Sequence, residues 1–336
     1  MTEQKTKIKL AVFNSKSYDK LFFEQFNSQY PIRINHFEVA LNAQTAELAS
    51  GFEAVCIFVN DIVDKAVLDQ LKAGGTRLIA LRCAGFNNVD VQYAKEIGIR
   101  ICRVPEYSPQ AVAEHAVGLM LTLSRKFHKA YNRVKEDNFS LVGLMGFNLH
   151  KKTVGIIGTG KIGIATLKIL SGFGCKLLCF DPNESDEVKT LGAEYVSVER
   201  LFRESDIISL HCPLLPQTQY LINHQSLALM KPHVMIINTS RGGLLKTDDV
   251  LSALKQKKIG YLGLDVYELE ASLFFEDLST EIIDDDVFQR LLTFPNVLIT
   301  GHQGFFTEEA LSCIAQTTLS NISLFFNEQK SGNELF

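Results

Sequence analysis

The chain has 336 residues, a formal net charge of −4, 46% hydrophobic residues and 21% charged residues. That length exceeds the size at which a single core usually stops growing, so two domains are expected. The charge balance leaves no electrostatic footprint for nucleic acid or an anionic membrane, and no uncharged apolar stretch approaches the ~18 residues of a membrane span.

The N-terminal stretch MTEQKTKIKLAVFNSK lacks the apolar centre of a secretion signal. The seven cysteines show no CxxC spacing, which argues against a disulfide framework and for the reducing cytosol. Apolar runs at 8–14, 53–59, 77–83 and 99–104 read as buried parallel strands. Ser108 then stands where a cap belongs and Pro109 at the first position of a helix. The front half of that helix, 111–123, is apolar on nearly every face, so it is expected to be buried or packed on another subunit, and it offers a homodimer seam. On it, Glu114 and His115 read as a satisfied polar contact at a domain or subunit junction rather than an acid–base couple.

Further strands are expected at 153–158, 176–181, 206–211, 234–239, 261–266 and 296–300. Six is the number that a complete doubly wound dinucleotide fold uses. The cluster KQKK at 255–258 reads as a solvated helix end, and the acidic stretch 276–286 as a solvated loop rather than a metal site. Too little chain follows the last strand for a third domain, so the helix from Thr307 should pack back on the first. The fold class is therefore α/β, two Rossmann-like domains with doubly wound parallel sheets. A cofactor domain, 104–303, is inserted into a discontinuous substrate domain made of 1–103 and 304–336.

The strongest motif is GTGKIG, with Gly158, Gly160 and Gly163. The first glycine permits a tight turn, the second a close approach of backbone to a pyrophosphate, and the third close packing of helix on strand. The following strand ends in FDP, which places Asp181 18 residues after Gly163. An acid there can accept hydrogen bonds from the adenosine ribose and repel a 2′-phosphate, favouring NAD over NADP.

Ligands of open α/β sheets bind outside the carboxyl ends of the strands. Past three such ends stand Arg241 in SRGG, Glu268 and Glu270 in YELE, and His302 in GHQG. Reduction of a 2-oxo acid needs a proton for the forming alkoxide and a grip on the carboxylate. An imidazole can donate and recover that proton, a neighbouring carboxylate favours its charged form, and a guanidinium can hold a carboxylate through two parallel hydrogen bonds. Singly, each residue also has a bland reading, as a surface arginine, a solvated glutamate or a buried histidine. Their joint placement beside a dinucleotide turn points to a site.

Taken in order, GTGKIG, FDP, HCPLLPQT, NTSRGGLL, GLDVYELE and TGHQGFF resemble the D-specific 2-hydroxyacid dehydrogenases. LRCAGFNNVDV, VPEYSPQAVAEHAVGLMLTLSRK and LFFEDLSTEIIDDDVFQRLLTFPNVLITGHQGFF are similar to the fermentative D-lactate branch in particular. The resemblance implies reversible hydride transfer between NADH and pyruvate, catalysed by Arg241, Glu270 and His302, with the second glutamate of YELE matching the motif. It further implies that the backbone amides of Ala84 and Gly85 receive the substrate carboxylate and that Tyr107 reaches the site. For NAD it implies contacts at Lys161, Ile162, Asp181, Cys212, Pro213, Thr218, Thr239, Ser240 and Asp265, besides the three glycines, and it implies no metal. Leu269 and Gly304 depart from the usual pattern, a polar residue and an alanine respectively. Two other readings stay open: a broader enzyme for larger 2-oxo acids, and an NAD-sensing corepressor that keeps the same triad.

Overall fold

The computed structural model describes residues 7–336, so the stretch read for a secretion signal begins outside the described residues. The chain divides into two compact units. One takes the described residues up to Ser108 together with Phe306–Phe336, and the other takes Pro109–Phe305.

The first unit runs β1 (Ile8–Val12), α1 (Ser17–Asn27), β2 (Ile32–His36), β3 (Ala54–Ile57), α2 (Lys65–Ala73), β4 (Leu78–Leu81), α3 (Val91–Ile97) and β5 (Arg100–Cys102). Its strands form one parallel sheet in the order β2-β1-β3-β4-β5. β3 and β4 are buried at every position, which is why their sequences are continuous apolar runs. β2 went unread because polar residues alternate through IRINH, the pattern of an edge strand. The C-terminal helix belongs to this core: Ala315, Leu319 and Ile322 are buried with Leu10, Val12, Phe23 and Leu78. Burial of a leucine or isoleucine contributes about 1.5–3 kcal/mol, so the returning helix is held by its own apolar face. Beyond it, Leu335 N–H donates to the Ile101 carbonyl at 3.0 Å, tying the tail to β5.

The second unit runs α4 (Pro109–Arg125), α5 (Phe127–Lys135), β6 (Thr153–Ile157), α6 (Lys161–Gly172), β7 (Lys176–Phe180), α7 (Asp186–Thr190), β8 (Glu194–Tyr195), α8 (Val198–Glu204), β9 (Ile207–Leu210), α9 (His224–Leu229), β10 (Val234–Asn238), α10 (Thr247–Lys255), β11 (Ile259–Leu264), α11 (Asp286–Leu292) and β12 (Val297–Ile299); α12 (Glu308–Phe326) is the returning helix. The parallel sheet has the order β12-β11-β10-β9-β6-β7-β8. This is the doubly wound dinucleotide order with one strand added at the edge, and the strand order reverses between β6 and β9. The two-residue β8 carries too little sequence signal to be read in advance.

The apolar front of α4 is covered within this unit. Ala116, Leu119, Met120 and Leu123 are buried with Leu167 and Leu170 of α6 and with Met235 and Ile237 of β10. The apolar character of 116–123 is thus accounted for by neighbours in the same chain and does not by itself require a second subunit. Large exposed apolar side chains gather instead just after it, at Phe127, Tyr131, Val134, Leu141, Val142 and Met145. Among the described residues, no helix is long and apolar enough to cross a membrane.

Candidate active site

β6 leads directly into Gly158, whose φ is +96°. A Cβ there would lie 2.5 Å from the Cys212 amide nitrogen, so only glycine lets this turn close against the end of β9. A Cβ at Gly163 would lie 2.0 Å from the Gly158 carbonyl, so α6 packs directly on the turn. Gly160 is the N-cap of α6; no side chain caps the helix there, and the space beyond its Cα is open. The helix starts at Lys161 and Ile162 with its positive dipole end facing that space, a fit for a pyrophosphate.

Asp181 follows β7 and is built into the turn. Its Oδ2 accepts the Thr159 N–H at 2.7 Å and its Oδ1 the Asn183 N–H at 2.8 Å. Each oxygen keeps a second acceptor site for a ribose hydroxyl. At the end of β10, the Thr239 hydroxyl oxygen is buried with no hydrogen-bond partner, a costly state that a bound polar group would relieve. Ser240 Oγ donates to the Cys212 carbonyl at 2.7 Å, joining the ends of β9 and β10. Burial pushes the Cys212 thiol up to about 11, which keeps it protonated. Thr218 Oγ donates to the Pro213 carbonyl at 2.6 Å and accepts the Leu215 N–H at 2.8 Å, so this hydroxyl is engaged in its own turn. Glycine turn, uncapped helix, Asp181 and the orphaned Thr239 hydroxyl together fit a nicotinamide dinucleotide.

Arg241, Glu270 and His302 lie past the carboxyl ends of β10, β11 and β12, three neighbouring strands. The structure brings two of them into contact: His302 Nδ1 and Glu270 Oε1 are 2.8 Å apart, with side chains 15% and 18% exposed. Glu270 Oε2 accepts the Tyr267 N–H at 2.8 Å, which fixes the carboxylate. His302 Nε2 has no partner among the described residues and is the ring atom left for a ligand. The Phe275 ring lies against the imidazole, with centroids 5.7 Å apart. Arg241 touches neither partner. Its Nη1 donates to the Ser240 carbonyl at 2.7 Å, leaving the other two guanidinium nitrogens for a carboxylate.

The two glutamates of YELE separate cleanly. Glu268 accepts from Tyr220 OH at 2.5 Å and from Thr247 Oγ at 2.7 Å, a structural bridge away from the imidazole. Glu270 alone of the pair meets His302.

Several residues that hold the site escaped sequence reasoning. Asn238 is fully buried at the end of β10; its Nδ2 donates to the Arg241 carbonyl at 2.8 Å and its Oδ1 accepts the Ser240 N–H at 3.1 Å. A polar residue closing the run VMIIN was the available signal. A Cβ on Gly242 would lie 2.1 Å from the Tyr267 carbonyl, so the arginine turn sits directly on the backbone that leads to Glu270.

Asp265, expected as a cofactor contact, is 1% exposed and serves as a hub. Its Oδ1 accepts from Thr300 Oγ at 2.6 Å and from the Gln303 N–H at 2.9 Å, and its Oδ2 accepts the Gly304 N–H at 2.8 Å. His115 Nε2 lies 3.2 Å from Asp265 Oδ1 and 3.0 Å from Thr300 Oγ. His115 is thus a satisfied polar contact, placed beside the candidate site within its own unit, while Glu114 is exposed. Burial pushes the Asp265 carboxyl up, but hydrogen bonds from His115, Thr300 and Gly304 outweigh it and hold the carboxyl below its usual range. The hub grips both sides of His302, whose φ of +54° is left-handed and costs a non-glycine residue about 1–3 kcal/mol. A Cβ on Gly304 would lie 2.9 Å from Asp265 Oδ2, which accounts for glycine where alanine is usual. Leu269, the other departure, is exposed.

In the first unit, Ala84 and Gly85 follow β4 and Tyr107 follows β5, all partly exposed. Arg103 Nη1 donates to the Ala84 carbonyl at 2.7 Å, and its guanidinium lies over the Phe86 ring, 5.3 Å from the centroid. Because a carbonyl and the next N–H point opposite ways across one planar peptide, this bond sets the direction of the Gly85 N–H.

The model for the D-isomer specific 2-hydroxyacid dehydrogenase NAD-binding domain matches residues 117–304. D-lactate dehydrogenase of Escherichia coli (strain K12) is 54% identical over 98% of this chain and 100% of its own length. Among solved structures, the apo form of D-lactate dehydrogenase from Escherichia coli superposes with a TM-score of 0.90 at 52% identity, over 98% of this chain and 100% of that one. The pyruvate reductase of Chlamydomonas reinhardtii superposes with a TM-score of 0.93 at 42% identity, over 98% and 99%.

Proposed function

The chain belongs to the D-isomer specific 2-hydroxyacid dehydrogenases, and on that footing we propose that it is an NAD-dependent D-lactate dehydrogenase interconverting pyruvate and D-lactate. When bound, NADH supplies the hydride. His302 gives the proton from Nε2 to the forming alkoxide and takes it back in the reverse direction. Glu270 orients the imidazole through Nδ1 and balances the charge of its protonated form. Arg241 holds the substrate carboxylate through its guanidinium fork and polarises the carbonyl. The Ala84 and Gly85 amides receive the same carboxylate, and Tyr107 completes the substrate contacts. The carboxylate of Asp181 disfavours a 2′-phosphate and selects NAD.

The observation that carries this reading is the 2.8 Å contact between His302 Nδ1 and Glu270 Oε1 at the carboxyl edge of a sheet with a dinucleotide turn. The same proposal includes a cytosolic homodimer or higher homo-oligomer. It is supported by the exposed apolar stripe Phe127, Tyr131 and Val134 of α5, which a second copy would cover and which lies on a different face of that helix from His128 and Lys129.

The test is NADH consumption with pyruvate, 2-oxobutyrate and phenylpyruvate, followed by chiral analysis of the product. D-lactate from pyruvate, as the preferred substrate, is expected. L-lactate, a clear preference for phenylpyruvate, or tight NADH binding without turnover would each overturn the proposal.

A further inference from the structure

At the amino ends of β10, β11 and β12 lies a cavity of about 660 Å³, open to solvent on one side, at the opposite edge of the sheet from Arg241, Glu270 and His302. Its lining includes His233 just before β10, Ile259 at the start of β11 and Asn296 just before β12. Lys126, His128 and Lys129 enter it from the corner between α4 and α5, Lys255 and Lys257 from the end of α10, and Arg290 from α11. No aspartate or glutamate lines it, although acids outnumber bases 38 to 34 in the chain.

The cations of this cavity are unmatched. None of its lysines, nor Arg290, makes an ion pair among the described residues, whereas Lys20, Lys168, Lys176, Lys189 and Arg200 elsewhere on the surface all do. Lys126 and Lys129 are instead anchored by their ammonium groups to the carbonyls of Gly143 and Pro295, which neutralise no charge. His128 Nδ1 is buried without a partner. Burial first, and then the charges of Lys126 and Arg133, hold the Lys129 ammonium below its usual range; burial and Lys129 do the same to His128. Like charges converging on a partly desolvated space repel one another, and a bound anion relieves that repulsion.

We propose that this cavity is a binding site for a small oxyanion carrying two or more negative charges, of the phosphate or polycarboxylate type. The volume falls in the range of small-molecule sites and is far larger than a halide requires. The sequence reading of KQKK as a solvated helix end missed the site because its other cations come from segments far apart in the chain.

The test is calorimetric titration of the holoenzyme, saturated with NADH so that the glycine turn is filled. Inorganic pyrophosphate and citrate are the two probes, with potassium chloride at matched ionic strength as the control. Saturable binding of either probe is expected, and the tighter of the two names the class of oxyanion. The triple variant K255M/K257M/R290M replaces three exposed side chains, so its fold and its turnover of pyruvate without added anion should be unchanged. Its affinity for the probe should fall at least about tenfold, because three charge-assisted contacts to the oxyanion are removed. Heats no larger than those of the chloride control, or equal affinity in the triple variant and the parent, would overturn the proposal.

Discussion

Gly242→Ala should damage this enzyme although residue 242 carries no chemistry. The added Cβ would stand 2.1 Å from the carbonyl carbon and oxygen of Tyr267 and 2.4 Å from the Glu268 nitrogen. Those atoms are backbone, so no rotamer change can make room. The gap must open from 2.1 Å to the 3.4 Å of ordinary contact, a displacement of roughly 1 Å, and misplacements of that size cost on the order of 10²-fold in rate. Arg241 moves with one side of the gap. Tyr267, whose N–H holds Glu270, moves with the other.

Steady-state kinetics should therefore show a raised KM for pyruvate and a lowered kcat together, with stability reduced by about 1–3 kcal/mol. NADH affinity should change little, since the glycine turn lies at the end of β6. Gly243→Ala is the control. The nearest atoms to its Cβ would belong to the Leu214 side chain, at 3.0 Å, which can give by a few tenths of an ångström where backbone cannot, so that variant should stay near wild type. A Gly242→Ala enzyme as active as its parent would refute the idea that this backbone contact registers the arginine against the Glu270–His302 pair.

Three other outcomes are expected. Asp265 has a folded carboxyl held below its ordinary value, so its stabilising effect is complete above the unfolded value of about 4 and is lost as pH falls through the lower folded one; Asp265→Asn should lower Tm at neutral pH and flatten the acid limb of Tm against pH, and superimposable limbs would exclude this role. Asp181→Asn keeps an acceptor for the Thr159 N–H while removing the charge, so the preference for NAD over NADP should narrow by about tenfold, or ~1.4 kcal/mol; an unchanged ratio in paired kinetics would place the acid away from the ribose. Arg103→Met frees the Ala84 carbonyl and should raise the KM for pyruvate by about tenfold, the worth of one charge-assisted hydrogen bond, without changing the Kd for NADH; a shifted Kd would mean the arginine acts through the fold.

The place of the candidate site was legible because it follows strand ends. Apolar runs mark where buried parallel strands stop, and Arg241, the pair Glu268 and Glu270, and His302 follow three such ends within a few residues. The choice between Glu268 and Glu270 was not legible from residue types, because both follow the same strand and only the fold sends one to Tyr220 and Thr247 and the other to His302. Edge strands were lost for the reverse reason: β2 and β8 bury too little to carry an apolar run. Asn238, Thr300 and His115 were invisible as site residues, since each acts by hydrogen bonds to backbone or to a buried carboxylate, and spacing along the chain does not encode such bonds.

The conformation of His302 shows which forces aim its ring. Side-chain packing contributes one tilted aromatic contact, from Phe275. The backbone is left-handed at a cost of about 1–3 kcal/mol, and an isolated chain would relax to an extended or helical form. Against that stand the His302 N–H bond to the Asp265 carbonyl at 2.7 Å and two amide bonds to the Asp265 carboxylate, from Gln303 and Gly304. Hydrogen bonds to a charged acceptor are worth about 1.5–3 kcal/mol each, so the two together exceed the strain. They do so only while the carboxylate is charged, and the hydrogen bonds from His115 and Thr300 keep it so despite burial. The direction of the His302 ring thus depends on the charge of a buried aspartate, and a neutral Asp265 would release the turn before it disturbed the imidazole itself.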